Sequence, residues 1–135
     1  MSERLFVDSA VFFAFASQTD KNYARAQVAA QRIGRIGAEM YTSNFVVAET
    51  HSLLLNRLNR AIAQQVLDRI YAGIAHIIRI TERDETRARV IIHQYQDKEY
   101  SFFDASSFAV MERLHIRRAW TYDHHFGQYG WTLEQ

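Results

Sequence analysis

Short apolar runs alternate along this chain with longer stretches in which apolar positions recur every three or four residues, so brief strands are expected between amphipathic helices. Leu5-Phe6-Val7 reads as a buried strand ending at Asp8-Ser9, with a first helix beginning over Val11 to Phe15. Tyr23, Ala26, Ala30 and Ile33 share one face of a helix from about Asn22 to Ile36, and Gly37 is placed to stop it. Met40-Tyr41-Thr42 is the second strand. Ser43 or Asn44 caps a helix through Asn56 that turns Val46, Val47, Thr50, Leu53 and Leu54 inward. Asn59 caps the next, built on Ala63, Val66, Leu67, Ile70 and Tyr71.

Ala75 to Ile80 reads as a third strand. Thr81-Glu82-Arg83-Asp84 resembles a capping box opening a helix with Ala88, Ile91, Ile92 and Tyr95, and Ser101-Phe102-Phe103-Asp104 opens another that reaches about Leu114. Ala119-Trp120-Thr121 is a fourth strand closing at Asp123, and Trp131-Thr132-Leu133 a last short one. Strands separated by helices pair in parallel, with the crossovers covering both faces. The expected fold class is therefore α/β, a three-layer α/β/α sandwich around a central, mainly parallel sheet. With no proline, no glycine-rich linker and no repeat, residues 1–135 are expected to form one domain.

Composition narrows the functional classes. The absence of cysteine removes disulfide frameworks, thiolate metal sites and thiol nucleophiles. Met1-Ser2-Glu3-Arg4 leads straight into the first strand and no apolar run is long enough for a membrane span, so a soluble cytoplasmic protein with no membrane partner is expected. Net charge is only +1, which excludes a bulk polycation. Its distribution is uneven: residues 21–80 carry eight basic side chains against three acidic ones, a local balance of +5. Arginine accounts for 14 of the 16 basic residues, and its planar fork suits phosphate. Arg57 and Arg60 are the substrate-binding candidates from this segment, although a solvated helix surface is the more ordinary reading of any one such arginine.

The chemistry lies in carboxylates set in apolar company: Asp8 after Leu5-Phe6-Val7, Glu49 after Phe45-Val46-Val47-Ala48, and Asp104 after Phe102-Phe103. Asp123 follows the fourth strand, and ligands of such sheets lie beyond the carboxyl ends of the strands. Each residue has an ordinary alternative. Asp8 can cap the first helix, Asp104 can be the N3 member of a Ser101 capping box, Asp123 can be a turn residue, and Glu49 can lie on a solvent-facing stripe. Together, carboxylates from four separate elements repel one another unless a cation compensates them. Hard oxygen ligands without cysteine select Mg²⁺ or Mn²⁺, which can activate water against a phosphodiester.

These residues carry a resemblance. Phe6-Val7-Asp8-Ser9-Ala10-Val11 resembles the opening motif of PIN domains, Val47-Ala48-Glu49 their helix glutamate, Tyr100-Ser101-Phe102-Phe103-Asp104-Ala105 their third acidic motif, and Thr121-Tyr122-Asp123-His124-His125-Phe126 their T-x-D-x-x-F motif. The stretch Ser107 to Leu114 is similar to VapC-type toxins of toxin–antitoxin pairs. The resemblance implies an α/β/α sandwich, Mg²⁺- or Mn²⁺-dependent endoribonuclease activity on an RNA substrate, homodimerisation, and inhibition by a cognate antitoxin protein whose tail occupies the acidic groove. Carried over by position, Asp8, Glu49, Asp104 and Asp123 match catalytic metal-binding carboxylates, while Ser9 and Thr121 match supporting polar residues. Where many relatives have a further acidic or polar residue, this chain has His125.

His124 and His125 read either as a surface turn pair or as contacts to a substrate phosphate. Tyr122, Phe126, Tyr129 and Trp131 are placed to stack RNA bases, although Phe126 and Trp131 fit the core better. The rival function is a non-catalytic module of the same fold, binding RNA or protein around a structural metal. A receiver domain lacks its paired acids and late lysine here, a dehalogenase-type phosphatase lacks its second aspartate at Ala10, and no dinucleotide or phosphate-loop glycine motif is present.

Overall fold

The computed structural model describes residues 3–135; Met1 and Ser2, the start of the run expected to lead into the first strand, lie outside the described residues. Five parallel strands form one sheet in the order β3-β2-β1-β4-β5. They are β1 (Arg4–Val7), β2 (Glu39–Ser43), β3 (His76–Ile78), β4 (Arg118–Trp120) and β5 (Thr132–Glu134). The helices between them are α1 (Ser9–Ala16), α2 (Tyr23–Ile36), α3 (Asn44–Arg57), α4 (Arg60–Arg69), α5 (Glu82–Gln94), α6 (Phe102–Leu114) and α7 (His124–Tyr129). The expected α/β class and parallel sheet are found. Beyond α4 the backbone continues into a wider helical turn over Ile70–Ile74.

Local chemistry explains where these elements start and stop. The Ser43 hydroxyl accepts the Val46 amide to open α3, and the Asn59 side chain accepts the Ile62 amide to open α4. Complete capping boxes open α5 at Thr81/Asp84 and α6 at Ser101/Asp104, each pairing two otherwise orphaned donors. Gly37, at φ 67°, ends α2 in the left-handed region where a side chain would be strained.

The core is built on most of the apolar faces read from the sequence, but Tyr71, which lies beyond the end of α4, and Tyr95, which follows α5, are exposed rather than buried. Phe6, Leu54, Phe108, Ile91, Ile116 and Phe126 are all fully buried. Each such side chain contributes roughly 1.5–3 kcal/mol relative to exposure. Helices α1 to α4 pack on one another, α5 and α7 pack on α6, and α6 also meets α3.

The order of strands decides where a site forms. From β1 the chain moves outward through β2 to β3, then returns across the sheet to β4 on the other side of β1. The carboxyl ends of β1 and β4 flank this reversal, where successive connections diverge and leave a crevice. Register confirms the neighbourhood, since Val7 pairs with Trp120 and the Asp8 amide donates to the Trp120 carbonyl at 3.0 Å.

Differences from the sequence expectation are local. The first helix starts at Ser9 rather than Val11, β3 is confined to His76–Ile78, and the last two strands are each offset by one residue. The segment after Asp123, expected as a turn, is the helix α7, capped by the Asp123 side chain and ended by Gly130 at φ 114°.

Candidate active site

Asp8 sits at the tip of β1 and is only 6% exposed. It occupies the N-cap position of α1 without a side-chain capping bond, the Ser9 amide beside it being its partner from that helix. The Thr121 hydroxyl, just past β4, donates to Asp8 Oδ2 at 2.9 Å. The same Thr121 oxygen accepts the Asp123 amide at 2.9 Å, tying together the two strand ends. One buried hydroxyl is thereby satisfied as donor and acceptor.

The electrostatics are those of a self-repelling cluster. Burial, reinforced by the Glu49 charge, pushes the Asp8 carboxyl up to about 7. Glu49, one turn inside α3 and half-buried, is raised by burial and by Asp104 and Asp123, while a hydrogen bond from Ser9 opposes the rise. It does not lie on a solvent stripe. Asp104 is raised by burial and by Asp123, against hydrogen bonds from the Ser101 amide and His125.

Asp104 fulfils both of its readings. It closes the Ser101 capping box, and it stands among other carboxylates with His125 Nδ1 at 3.0 Å from its Oδ2. Asp123 likewise caps α7, accepting the His125 amide at 2.9 Å, while belonging to the same cluster. Four carboxylates from β1, α3, α6 and the β4–α7 junction thus converge on one edge of the sheet. The donor set is hard oxygen with no cysteine, the kind a divalent cation takes, and such a cation would offset the burial and mutual repulsion that raise these carboxyls; Asp123, His124 and His125 also offer ligand atoms within 4.8 Å of one another.

A sequence model described as the PIN domain matches residues 5–131. This chain belongs to the PIN domain family. Among its relatives, the 23S rRNA-specific endonuclease VapC20 of Mycobacterium tuberculosis is 28% identical over 132 residues, which make up 95% of this chain and 95% of that protein. The crystal structure of that VapC20, described as a sarcin-ricin loop cleaving toxin, superposes with a TM-score of 0.86 at 27% identity, covering 95% of this chain and 96% of the other. FitAcB from Neisseria gonorrhoeae shares the fold at a TM-score of 0.67 and 15% identity, over 97% of this chain and 96% of that one. VapBC-1 from nontypeable Haemophilus influenzae does so at 0.71 and 10%, over 98% and 97%.

The other PIN-domain candidates fall as follows. Ser9 and Thr121 both bond to the cluster. His124 is 75% exposed beside Asp123, whereas the His125 side chain is 20% exposed and turned inward. Phe126 is core, Trp131 packs beside Tyr129, and Tyr129 is tied to Glu112 through its hydroxyl at 2.8 Å. Arg57, whose guanidinium lies over the Phe13 ring at 5.6 Å, and Arg60 are exposed around the α3–α4 connection, and no described hydrogen bond joins either to the carboxylates. Sequence reasoning did not single out Arg25, which stacks over Tyr122, the residue before Asp123, at 5.0 Å. Nothing in the sequence signals that pairing, because it joins the first turn of α2 to a loop almost a hundred residues later.

Proposed function

We propose that this chain is a divalent-metal-dependent endoribonuclease, the toxin of a toxin–antitoxin pair, in which Asp8, Glu49, Asp104 and Asp123 hold Mg²⁺ or Mn²⁺. The observation that carries this reading is the buried Asp8 carboxyl, raised to about 7 among three further acids. Fold maintenance gives no reason to bury an acid that folding destabilises, whereas cation binding does. A bound cation supplies positive charge at the scissile phosphate and makes a neighbouring water easier to deprotonate.

The protein's own groups do the rest. Thr121 holds Asp8 in one orientation, Ser9 beside Glu49 favours its ionised form, and the α6 and α7 N-termini fix Asp104 and Asp123. Water attacks phosphorus in line, the P–O3′ bond breaks, and the products are a 3′-hydroxyl and a 5′-phosphate. RNA is the proposed substrate because the relative spanning 95% of this chain is named as an rRNA-specific endonuclease. Arg57, Arg60, Arg25, His124 and the outer nitrogen of His125 are the proposed phosphate contacts.

The antitoxin is the proposed protein partner. Its support is an apolar cavity of about 900 Å³ over α1, α2 and α4, lined by Phe12, Phe15, Ile33, Val66 and Trp120, which fits the apolar face of a partner segment. The active form is proposed as a homodimer. Co-purification with the product of an adjacent reading frame tests the antitoxin; cleavage of RNA by the purified chain with Mn²⁺, and its loss in EDTA, tests the enzyme.

A further inference from the structure

The two carboxylates on α6 and at the start of α7 are joined by one residue. His125 Nδ1 lies 3.0 Å from Asp104 Oδ2 and 3.3 Å from Asp123 Oδ1. Ionised carboxylates only accept hydrogen bonds, so Nδ1 carries the hydrogen and donates it to Asp104 Oδ2, with Asp123 Oδ1 beside it at ion-pair distance. The remaining bonds fall on the same two atoms: Asp104 Oδ2 accepts the Ser101 amide at 3.1 Å, and Asp123 Oδ1 accepts the His125 amide at 2.9 Å. Among the described residues, no hydrogen bond reaches Asp104 Oδ1 or Asp123 Oδ2.

The imidazole is itself held. The buried Tyr100 ring meets it edge-on at 5.6 Å and 86°, and Tyr100 in turn packs against Phe108 and Tyr129. Tyr129 donates to Glu112, which accepts Arg87 Nε at 2.8 Å, so the ring rests on a brace running through α5, α6 and α7.

We infer that His125 is a positioning residue that clamps Asp104 to Asp123: Nδ1 takes one oxygen of Asp104 and the backbone amide one oxygen of Asp123, leaving the opposite oxygen of both for the cation. The clamp rests on the reading that this site holds a divalent cation. It differs from direct ligation, in which His125 nitrogen would enter the coordination sphere. Outer partners that orient ligands in this way change metal affinity by roughly 10–100-fold when removed.

The test uses the full chain and Mn²⁺ as probe, with affinity from isothermal titration calorimetry and coordination from pulsed electron paramagnetic resonance. His125→Ala is expected to weaken Mn²⁺ binding about 10-fold or more. Its metal-free melting temperature should stay close to wild type, because the Ser101 capping box and the His125 backbone bond remain. His125→Asn is expected to recover most of the affinity, since its amide nitrogen can take the place of Nδ1. Wild-type spectra are expected to show no directly coordinated nitrogen.

Unchanged affinity in His125→Ala, or a folded His125→Asn binding no better than alanine, would overturn the clamp. So would a directly coordinated nitrogen that vanishes with His125, which would make this residue a ligand. A wild type that binds no Mn²⁺ fails earlier and separately, removing the metal site and the clamp with it.

Discussion

Thr121 donates to Asp8 at 2.9 Å across the seam between β1 and β4, and its oxygen accepts the Asp123 amide at the same distance. This buried hydroxyl orients the most deeply placed carboxylate of the acidic cluster and fixes the backbone that presents another. Thr121→Val keeps the shape and removes both bonds. Stability is expected to fall by about 1–3 kcal/mol for the polar groups left without partners, and RNA cleavage by about 10-fold or more. Wild-type cleavage in the folded variant would reduce Thr121 to a packing residue.

Asp8 sets the pH dependence of the metal-free protein. Its folded carboxyl titrates near 7 and its ordinary value is 3.8, so the folded state binds the proton more tightly than the unfolded chain. Stability from this group is therefore fully present below about 3.8 and is lost as pH rises to about 7. Glu49 and Asp104, raised in the same direction, add to the decline. Melting temperatures in EDTA are expected to fall between pH 4 and 7, and Asp8→Asn to fall less steeply; a parallel decline would contradict the assignment. Mn²⁺ affinity should rise over the same interval, since binding displaces that proton.

Asp104 is both cap and cluster member, and the two roles separate in a melt. Asparagine is also a good hydrogen-bond acceptor, so Asp104→Asn preserves much of the capping while removing a repelling charge. The metal-free variant is expected to be as stable as wild type or more so, and to lose most of the stabilisation by Mn²⁺. For wild type that stabilisation is about 2.7 kcal/mol at a hundredfold excess over Kd. A less stable metal-free variant with its Mn²⁺ shift intact would leave Asp104 as a cap alone.

Much of this was legible beforehand for physical reasons. Ser101 and Asp104, or Thr81 and Asp84, lie three residues apart, so their capping boxes are local and readable. The carboxylates stood out because an acid after Leu5-Phe6-Val7 or Phe102-Phe103 needs an explanation wherever the chain folds. The helix α7 was missed because six residues carry too little periodicity, although Asp123 before it and Gly130 after it are a cap and a stop. The His125–Asp104 contact and the stacking of Arg25 on Tyr122 bridge separate elements, and only the fold brings them together.

Arg25 is expected to contact substrate phosphate at the lip of the site. Arg25→Gln should weaken single-stranded RNA binding and reduce the slope of log affinity against log salt by about 0.7, the loss of one phosphate contact. An unchanged slope would confine Arg25 to packing on Tyr122.

The central claim is that the acidic cluster hydrolyses RNA with a divalent cation. The most direct measurement is cleavage of an end-labelled RNA by the purified wild-type chain and by Asp8→Asn, Glu49→Gln, Asp104→Asn and Asp123→Asn, each with Mn²⁺, with Mg²⁺ and in excess EDTA. Wild type is expected to cleave only with a cation, leaving a 5′-phosphate and a 3′-hydroxyl, and each variant to lose at least ~10²-fold in rate. Cleavage that persists in EDTA, or wild-type rates in two or more of the four variants, would contradict it.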